Sequence, residues 1–558
     1  MQTLLSKINT SVIGANAPIH TPFGEKPLIY ADYTASGRSL RFIEDYLQSN
    51  VLPWYANTHT ETSFTGAQTT RLREEARAEI RKAVNGTGSD KVVFCGSGAS
   101  SAIDKIMHIL GLKTGNTAQN SARTDDGMQS SSKAVVFVGP YEHHSNELPW
   151  RESNAQVVCI PLTKCGQIDI NVLKQKLEQY DNRTLKIGSF SAASNVTGIC
   201  SDVQGITQML KQHGALSFWD YAAAAPYVKI DMNGAAPIDA VFISPHKFVG
   251  GPGTPGVLVV KEHIVRNTVP ALVGGGTVAY VTPTRHVFIG NIERKEEGGT
   301  PAIIESIRAG LVFKLQQQVG IETIEKLEQS MVDRAMAVFN SVDNIEVLGS
   351  NTAKRLSIFS LRFKHRNKDL HYAFITALLN DLFGIQARGG CSCAGPYGHA
   401  LLNMDYEYSE KIEQEISRGN MALRPGWVRL NFNYFISEAE FTYVLSALKL
   451  VAEHGWRLLP YYKLDRSAWS WRYQGKLPDL PASLEAFNPI QDCANHQALT
   501  AEAPCYEALL KAAENELTKS RQHQAHCPLE LSPSSEALRW FALPQDCYNE
   551  LQTLPEAS

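Results

Sequence analysis

The sequence has no run of apolar residues near the roughly 20 that a bilayer-spanning helix needs, so no membrane association is expected. It also has little charge imbalance. The formal net charge is -3 over 558 residues, which gives no global attraction to nucleic acid or anionic lipid. The first residues, Met1-Gln2-Thr3-Leu4-Leu5-Ser6-Lys7, lack the apolar core of a secretory signal, and a cytoplasmic location is expected. The ten cysteines are scattered instead of packed at framework spacing, so reduced thiols are expected. No internal repeat is evident. His143-His144 and the pair Cys391 and Cys393 have no further ligands at metal spacing, so no metal is expected.

What the sequence does have is a rhythm. Short apolar runs at residues 91–95, 133–138, 156–161, 184–190, 217–220, 240–243 and 256–260 alternate with amphipathic stretches, such as 99–110. Strands separated by helices predict an α/β domain with a mostly parallel central sheet. Residues 115–132 are rich in Asn, Ser, Thr and Gly and break the rhythm; they read as a flexible surface insertion. The domain plan expected is an N-terminal segment (1–28), a large α/β domain (29–300) and a connecting helical region (301–330). A smaller α+β domain (331–455) follows, with strands near 345–347, 355–363 and 427–432 and a closing helix at 439–454. Beyond 456 the composition turns to Pro, Gln, Ser and charge. Residues 456–558 read as an extension without legible chemistry, although 504–518 have the pattern of a helix.

Several polar motifs punctuate the α/β region, and each has an ordinary explanation. Lys247 follows a strand in Ser244-Pro245-His246-Lys247 and precedes a glycine-rich turn; it is a surface lysine or an amine held for chemistry. Asp220 ends a strand, where ligands of α/β sheets sit, but an aspartate before Ala222-Ala223-Ala224-Ala225 also serves as a helix cap. Cys95-Gly96-Ser97-Gly98-Ala99-Ser100 leads from strand to helix and suits a phosphate, yet such turns are common. Glu142-His143-His144 follows another strand, and its imidazoles could stack on a planar ring or face solvent. Pyridoxal phosphate (PLP) chemistry needs an amine for the aldehyde, a carboxylate facing the pyridine nitrogen, a phosphate cradle and a ring to stack on the cofactor. Lys247, Asp220, the turn at Ala99 and Ser100, and His143 are candidates for these needs in turn.

The ordered set resembles the class V aminotransferase family of fold type I PLP enzymes, and within it the cysteine desulfurase and selenocysteine lyase branch. The resemblance runs from about residue 29 to 454. It includes Tyr30-Ala31-Asp32-Tyr33-Thr34-Ala35-Ser36 as an opening strand and turn, and Ala56-Asn57-Thr58-His59 as a segment near the substrate. It implies a Schiff base on Lys247, His143 stacked on the ring, Asp220 on the pyridine nitrogen and Asn195 beside cofactor and substrate. Ser244 and His246 would join Ala99 and Ser100 at the phosphate. Thr300, in Gly298-Gly299-Thr300-Pro301, would reach the phosphate of a neighbouring subunit, which implies a homodimer with shared active sites. Two positions depart from the pattern: Ala223 stands where a Gln is frequent, and Ala99-Ser100 replaces a double threonine.

Arg388-Gly389-Gly390-Cys391-Ser392-Cys393-Ala394 resembles the desulfurase loop and puts the nucleophile at Cys393. Arg429, in Trp427-Val428-Arg429-Leu430-Asn431, resembles the arginine that clamps the substrate carboxylate, with Arg388 beside it. The implied reaction takes sulfur from L-cysteine, leaving alanine and a persulfide on Cys393, with a protein among the possible sulfur acceptors. Cys391 is a candidate relay for that sulfur. The competing readings are an aminotransferase or a C–S or C–Se lyase acting on another amino acid, and a catalytically reduced scaffold that binds a partner through its extension.

Overall fold

Seven strands between residues 90 and 261 form one sheet. The computed structural model describes residues 2–113, 134–478, 480, 482–488, 504–519, 523 and 526–553; the insertion expected at 115–132 lies outside them. The strands are β1 (Asp90–Cys95), β2 (Ala134–Val138), β3 (Gln156–Cys159), β4 (Leu185–Ser191), β5 (Leu216–Asp220), β6 (Ala240–Ile243) and β7 (Gly256–Lys261). Their order across the sheet is β1-β7-β6-β5-β4-β2-β3. Strands β2 to β6 pair in parallel, and β7 is antiparallel to both neighbours. β1 therefore runs the same way as β2 to β6. Most of these strands are buried along their length, as expected for a sheet covered on both faces. On one face helix α1 (Gly98–Ile109) lays Ile103 and Ile106 against Val93, Phe218, Phe242 and Leu258. This architecture is an α/β domain with a mostly parallel central sheet.

This sheet belongs to the first of two compact units, whose main body is Thr34–Gln329. The helical region expected at 301–330 is two helices, Ile303–Val319 and Ile321–Asn340, separated at Gly320. The second unit gathers Leu5–Tyr33, Ser330–Asn351 and the described residues from Ser357 onward. Its sheet contains β8 (Ile345–Val347), β9 (Ile358–His365), β10 (Lys368–Leu370), β11 (Arg388–Gly390) and β12 (Trp427–Asn431). Helix α2 (Tyr372–Phe383) and helix α3 (Glu438–His454) contribute to its core.

Two features of the second unit differ from the sequence expectation. Ile29–Tyr30 does not open the large domain; it pairs in parallel with Ile385–Gln386, where Ile29 is buried in the same core as Phe383 and Ile385. The segment after 456, expected only as an extension without legible chemistry, belongs to the second unit. It forms the hairpin β13 (Tyr462–Asp465) and β14 (Ser470–Tyr473) and the helix α4 (Tyr506–Thr518). Tyr462, Trp471, Leu517, Phe541 and Leu551 are buried in one cluster with Phe374 and Leu378. Each such side chain contributes about 1.5–3 kcal/mol by burial, so this segment is part of the core that it covers.

Candidate functional site

The parallel direction of the strands gathers the polar motifs of the first unit at one end of the sheet. β1 leads into Gly96–Ala99, β2 into Glu142 and His143, β4 into Asn195, β5 ends on Asp220, and β6 leads into Ser244–Lys247. The carboxyl ends of strands are where α/β sheets bind ligands. Lys247 closes a short 3-10 turn, Pro245–Lys247, and is half-buried. The glycines after it are required by close contact: a Cβ on Gly251 would lie 2.1 Å from the Pro245 carbonyl oxygen.

Asp220 is buried, and its Oδ1 accepts the Ala222 N–H at 2.8 Å. Residues 221–227 form turns, so this bond closes a turn and does not cap a helix. Burial pushes the Asp220 carboxyl up; the Ala222 N–H and the positive charge of Lys247 oppose it. Ala223 is buried. Asn195 is buried in the turn after β4, where Ser194 Oγ accepts the N–H groups of Val196 and Thr197. The neighbouring Ala192 N–H donates to the Asp220 carbonyl.

The turn before α1 is shaped by its neighbours. Gly98 has φ +58°, and a Cβ there would meet Ser244 Oγ at 2.9 Å. Ser244 Oγ accepts the Ala99 N–H at 2.9 Å. Ser97, at the N-cap, makes no side-chain cap, which leaves the helix N-terminus suited to an anion. Ser100 Oγ and Ser145 Oγ share a hydrogen bond of 2.6 Å. The Ser145 N–H donates to His143 Nδ1 at 3.1 Å, so a neutral His143 ring carries its proton on Nε2. Burial lowers His246 to about 4, with Lys247 adding to the shift. Its ring is therefore neutral near pH 7, and its Nδ1 lies 3.3 Å from Ser36 Oγ.

Beneath His143 lies a polar network that sequence reasoning missed. Glu142 is buried and accepts from Asn146 Nδ2 at 2.7 Å and Ser191 Oγ at 2.6 Å. Burial pushes its carboxyl up to about 8, and the nearby Asp220 charge acts in the same direction. A second missed group, Glu297, anchors the loop that carries Thr300. Its carboxylate pairs with Arg73 at 2.6 Å and Arg77 at 2.9 Å and accepts the Phe94 N–H at 2.7 Å. Burial opposes its ionisation, yet the two guanidiniums hold it below the usual range. Thr300 is exposed, and its Oγ1 accepts from Asn57 Nδ2 at 3.3 Å. A cavity of about 710 Å3 runs between the Gly96–Gly98 turn and this loop, with His246 and Lys105 in its wall.

The second unit brings together the other candidates. Arg388 on β11 and Arg429 on β12 are register partners. Asp32 bridges them: its Oδ2 accepts from Arg388 Nε at 2.8 Å and its Oδ1 from Arg429 Nη2 at 3.2 Å. Arg429 is buried, whereas the Arg388 side chain is 55% exposed. β11 continues into the cysteine loop, where Ser392 and Cys393 both take positive φ, +54° and +55°. Cys393 is exposed and Cys391 half-buried, and both are free thiols. Arg424, another residue missed from sequence, donates from Nη2 to Cys391 Sγ at 3.3 Å.

The family described as "Aminotransferase class-V" matches residues 29–418. The chain belongs to the class V aminotransferase family. Members of this family are PLP-dependent enzymes, and the lysine, aspartate, histidine and glycine turn at one sheet end suit that cofactor. Among curated relatives, a probable cysteine desulfurase of Staphylococcus aureus strain Mu50 is 27% identical over 379 residues, covering 66% of this chain and 84% of that one. Another, from Halalkalibacterium halodurans, is 27% identical over 374 residues, covering 66% and 85%. Among solved structures, an apo cysteine desulfurase from Thermococcus onnurineus NA1 aligns with a TM-score of 0.62 and 21% identity, covering 76% of this chain and 95% of that one. The Escherichia coli cysteine desulfurase CsdA aligns with a TM-score of 0.59 and 20% identity, covering 76% and 94%. This class V family member therefore shares its fold with both structures.

Proposed function

We propose that the chain is a PLP-dependent cysteine desulfurase, taking sulfur from L-cysteine and leaving alanine and a persulfide on Cys393. The observation that carries this reading is Cys393 itself: an exposed, free thiol on the turn that follows strand β11. An aminotransferase needs no such thiol.

PLP supplies an electron sink that makes the α-proton of a bound amino acid removable and weakens the bond between Cβ and sulfur. Lys247 would hold the cofactor aldehyde and carry the α-proton of the substrate. Asp220 would keep the ring nitrogen protonated. A cation there would offset the burial that now pushes its carboxyl up. His143, steadied by Ser145, would stack on the ring, with Asn195 beside it. The turn at Ala99 and Ser100, with Ser244 and neutral His246, would take the phosphate. Arg429 would hold the substrate carboxylate, with Arg388 near it, and Cys393 as thiolate would accept the sulfur. Thr300 would serve the phosphate of a second copy in a homodimer. Proteins and small thiols are both candidate acceptors of the sulfur.

The test is incubation of the purified protein with L-cysteine and with a panel of other amino acids, measuring alanine, sulfide and pyruvate. Alanine and sulfide from L-cysteine, lost in Cys393→Ala, are expected. A keto acid formed equally well by Cys393→Ala would replace this reading with an aminotransferase or lyase.

A further inference from the structure

A cleft of about 440 Å3 lies within the second unit, walled by Asp32, Tyr372, Arg388, Met421, Arg424 and Trp469 among others. Its size suits a small molecule. Two guanidiniums and one carboxylate line it, and that carboxylate already bridges Arg388 to Arg429. The cleft therefore favours an anion. Tyr372 and Trp469 offer aromatic surface for an aliphatic chain. Arg424 ties one edge to the cysteine loop through Cys391 Sγ, and Cys391 is two residues from Cys393.

Trp469 comes from outside the family match, which ends at residue 418. It sits in the turn between β13 and β14, with φ +51°. Asp465 braces that turn by accepting from Ser467 N at 2.8 Å and pairing with Arg472 at 3.1 Å. Trp471, two residues on, donates from Nε1 to the buried His371 at 3.3 Å. The hairpin is thus fixed to the core on one side and presents Trp469 to the cleft.

We propose that this cleft binds a small carboxylate-bearing thiol as the acceptor of sulfur from Cys393, with Arg424 and Trp469 selecting it. The proposal rests on the desulfurase reading. The acceptor thiolate attacks the outer sulfur of the Cys393 persulfide. A new S–S bond forms on the acceptor, the S–S bond to Cys393 breaks, and Cys393 leaves as a thiolate, which the proton lost when the acceptor thiol ionised can neutralise. One persulfide replaces another, with no net oxidation or reduction. Mercaptosuccinate serves as the anionic probe and cysteamine as the cationic one.

The experiment has two arms on the full-length, PLP-loaded protein. Calorimetry with S-methylmercaptosuccinate, without L-cysteine, reads binding alone. It is expected to show saturable binding, about tenfold weaker in both Arg424→Gln and Trp469→Ala. Trp469→Phe, which keeps an aromatic wall, retains the affinity. Sulfur transfer after L-cysteine loading is expected to favour mercaptosuccinate over cysteamine, and that ratio falls about tenfold in the same two variants. Absent binding, or binding and selectivity unchanged in Arg424→Gln and Trp469→Ala, would overturn the proposal. Alanine production by the wild type without binding refutes the cleft alone. Binding without alanine refutes the desulfurase reading and, with it, the acceptor role.

Discussion

Arg388 and Arg429 face each other across the β11–β12 pair and share one carboxylate, that of Asp32. The two arginines differ in surroundings. Arg429 is buried, so removing its carboxylate partner is costly, whereas the Arg388 contact is open to solvent. Asp32→Ala is expected to lower stability by about 3–5 kcal/mol, and Arg388→Ala by about 1 kcal/mol or less, as read by urea unfolding. Arg429→Gln is expected to reduce kcat/KM for L-cysteine by about tenfold to a hundredfold.

Glu142 gives stability a pH dependence. Burial raises its carboxyl to about 8 from a value near 4.3 when unfolded. A group raised on folding stabilises fully below the unfolded value and loses that contribution as pH rises through the folded one. Cofactor-free protein should therefore lose stability between about pH 4.5 and 8, by at most about 1.4 kcal/mol per pH unit from this group. Glu142→Gln is expected to flatten that part of the profile in denaturant unfolding at a series of pH values.

Glu297 joins Arg73, Arg77 and the β1 backbone at one point. Glu297→Ala leaves two buried guanidiniums without that carboxylate and is expected to cost about 3–5 kcal/mol. Because residues 298–300 follow directly, amide hydrogen exchange in that loop should rise. Thr300→Ala, at an exposed position, should leave global stability unchanged.

The α/β rhythm was legible because most strands of the central sheet are continuous buried runs bounded by turns, as at Ala240–Ile243. The motifs at the carboxyl ends of those strands were legible as motifs. Their convergence at one end depends on the strands running in parallel, which the same pattern implied. Glu142 and Glu297 were not legible: a lone carboxylate in a sequence does not reveal that it will be buried, or by which partners. The place of the segment after 456 in the core was not legible because its core residues, such as Tyr462, Trp471, Phe541 and Leu551, are far apart and follow no helical or strand period. Burial in one cluster with Phe374 and Leu378 gives them meaning.

That burial makes the segment necessary for stability. Trp471 is 3% exposed and bonds His371. Trp471→Ala is expected to destabilise the protein by about 3–5 kcal/mol, measured by urea unfolding. Truncation at 456 should leave protein that exposes apolar surface and binds a hydrophobic dye.

The central claim is that Cys393 receives sulfur from L-cysteine. Its most direct test is peptide mass mapping of the PLP-loaded protein after one turnover, with alkylation to trap persulfides and alanine measured in the same sample. The account predicts one added sulfur on the peptide containing Cys393, with one alanine per active site, and neither in Lys247→Ala. Alanine release with Cys393 unmodified, or sulfur carried first by Cys391 in Cys393→Ser, would contradict it.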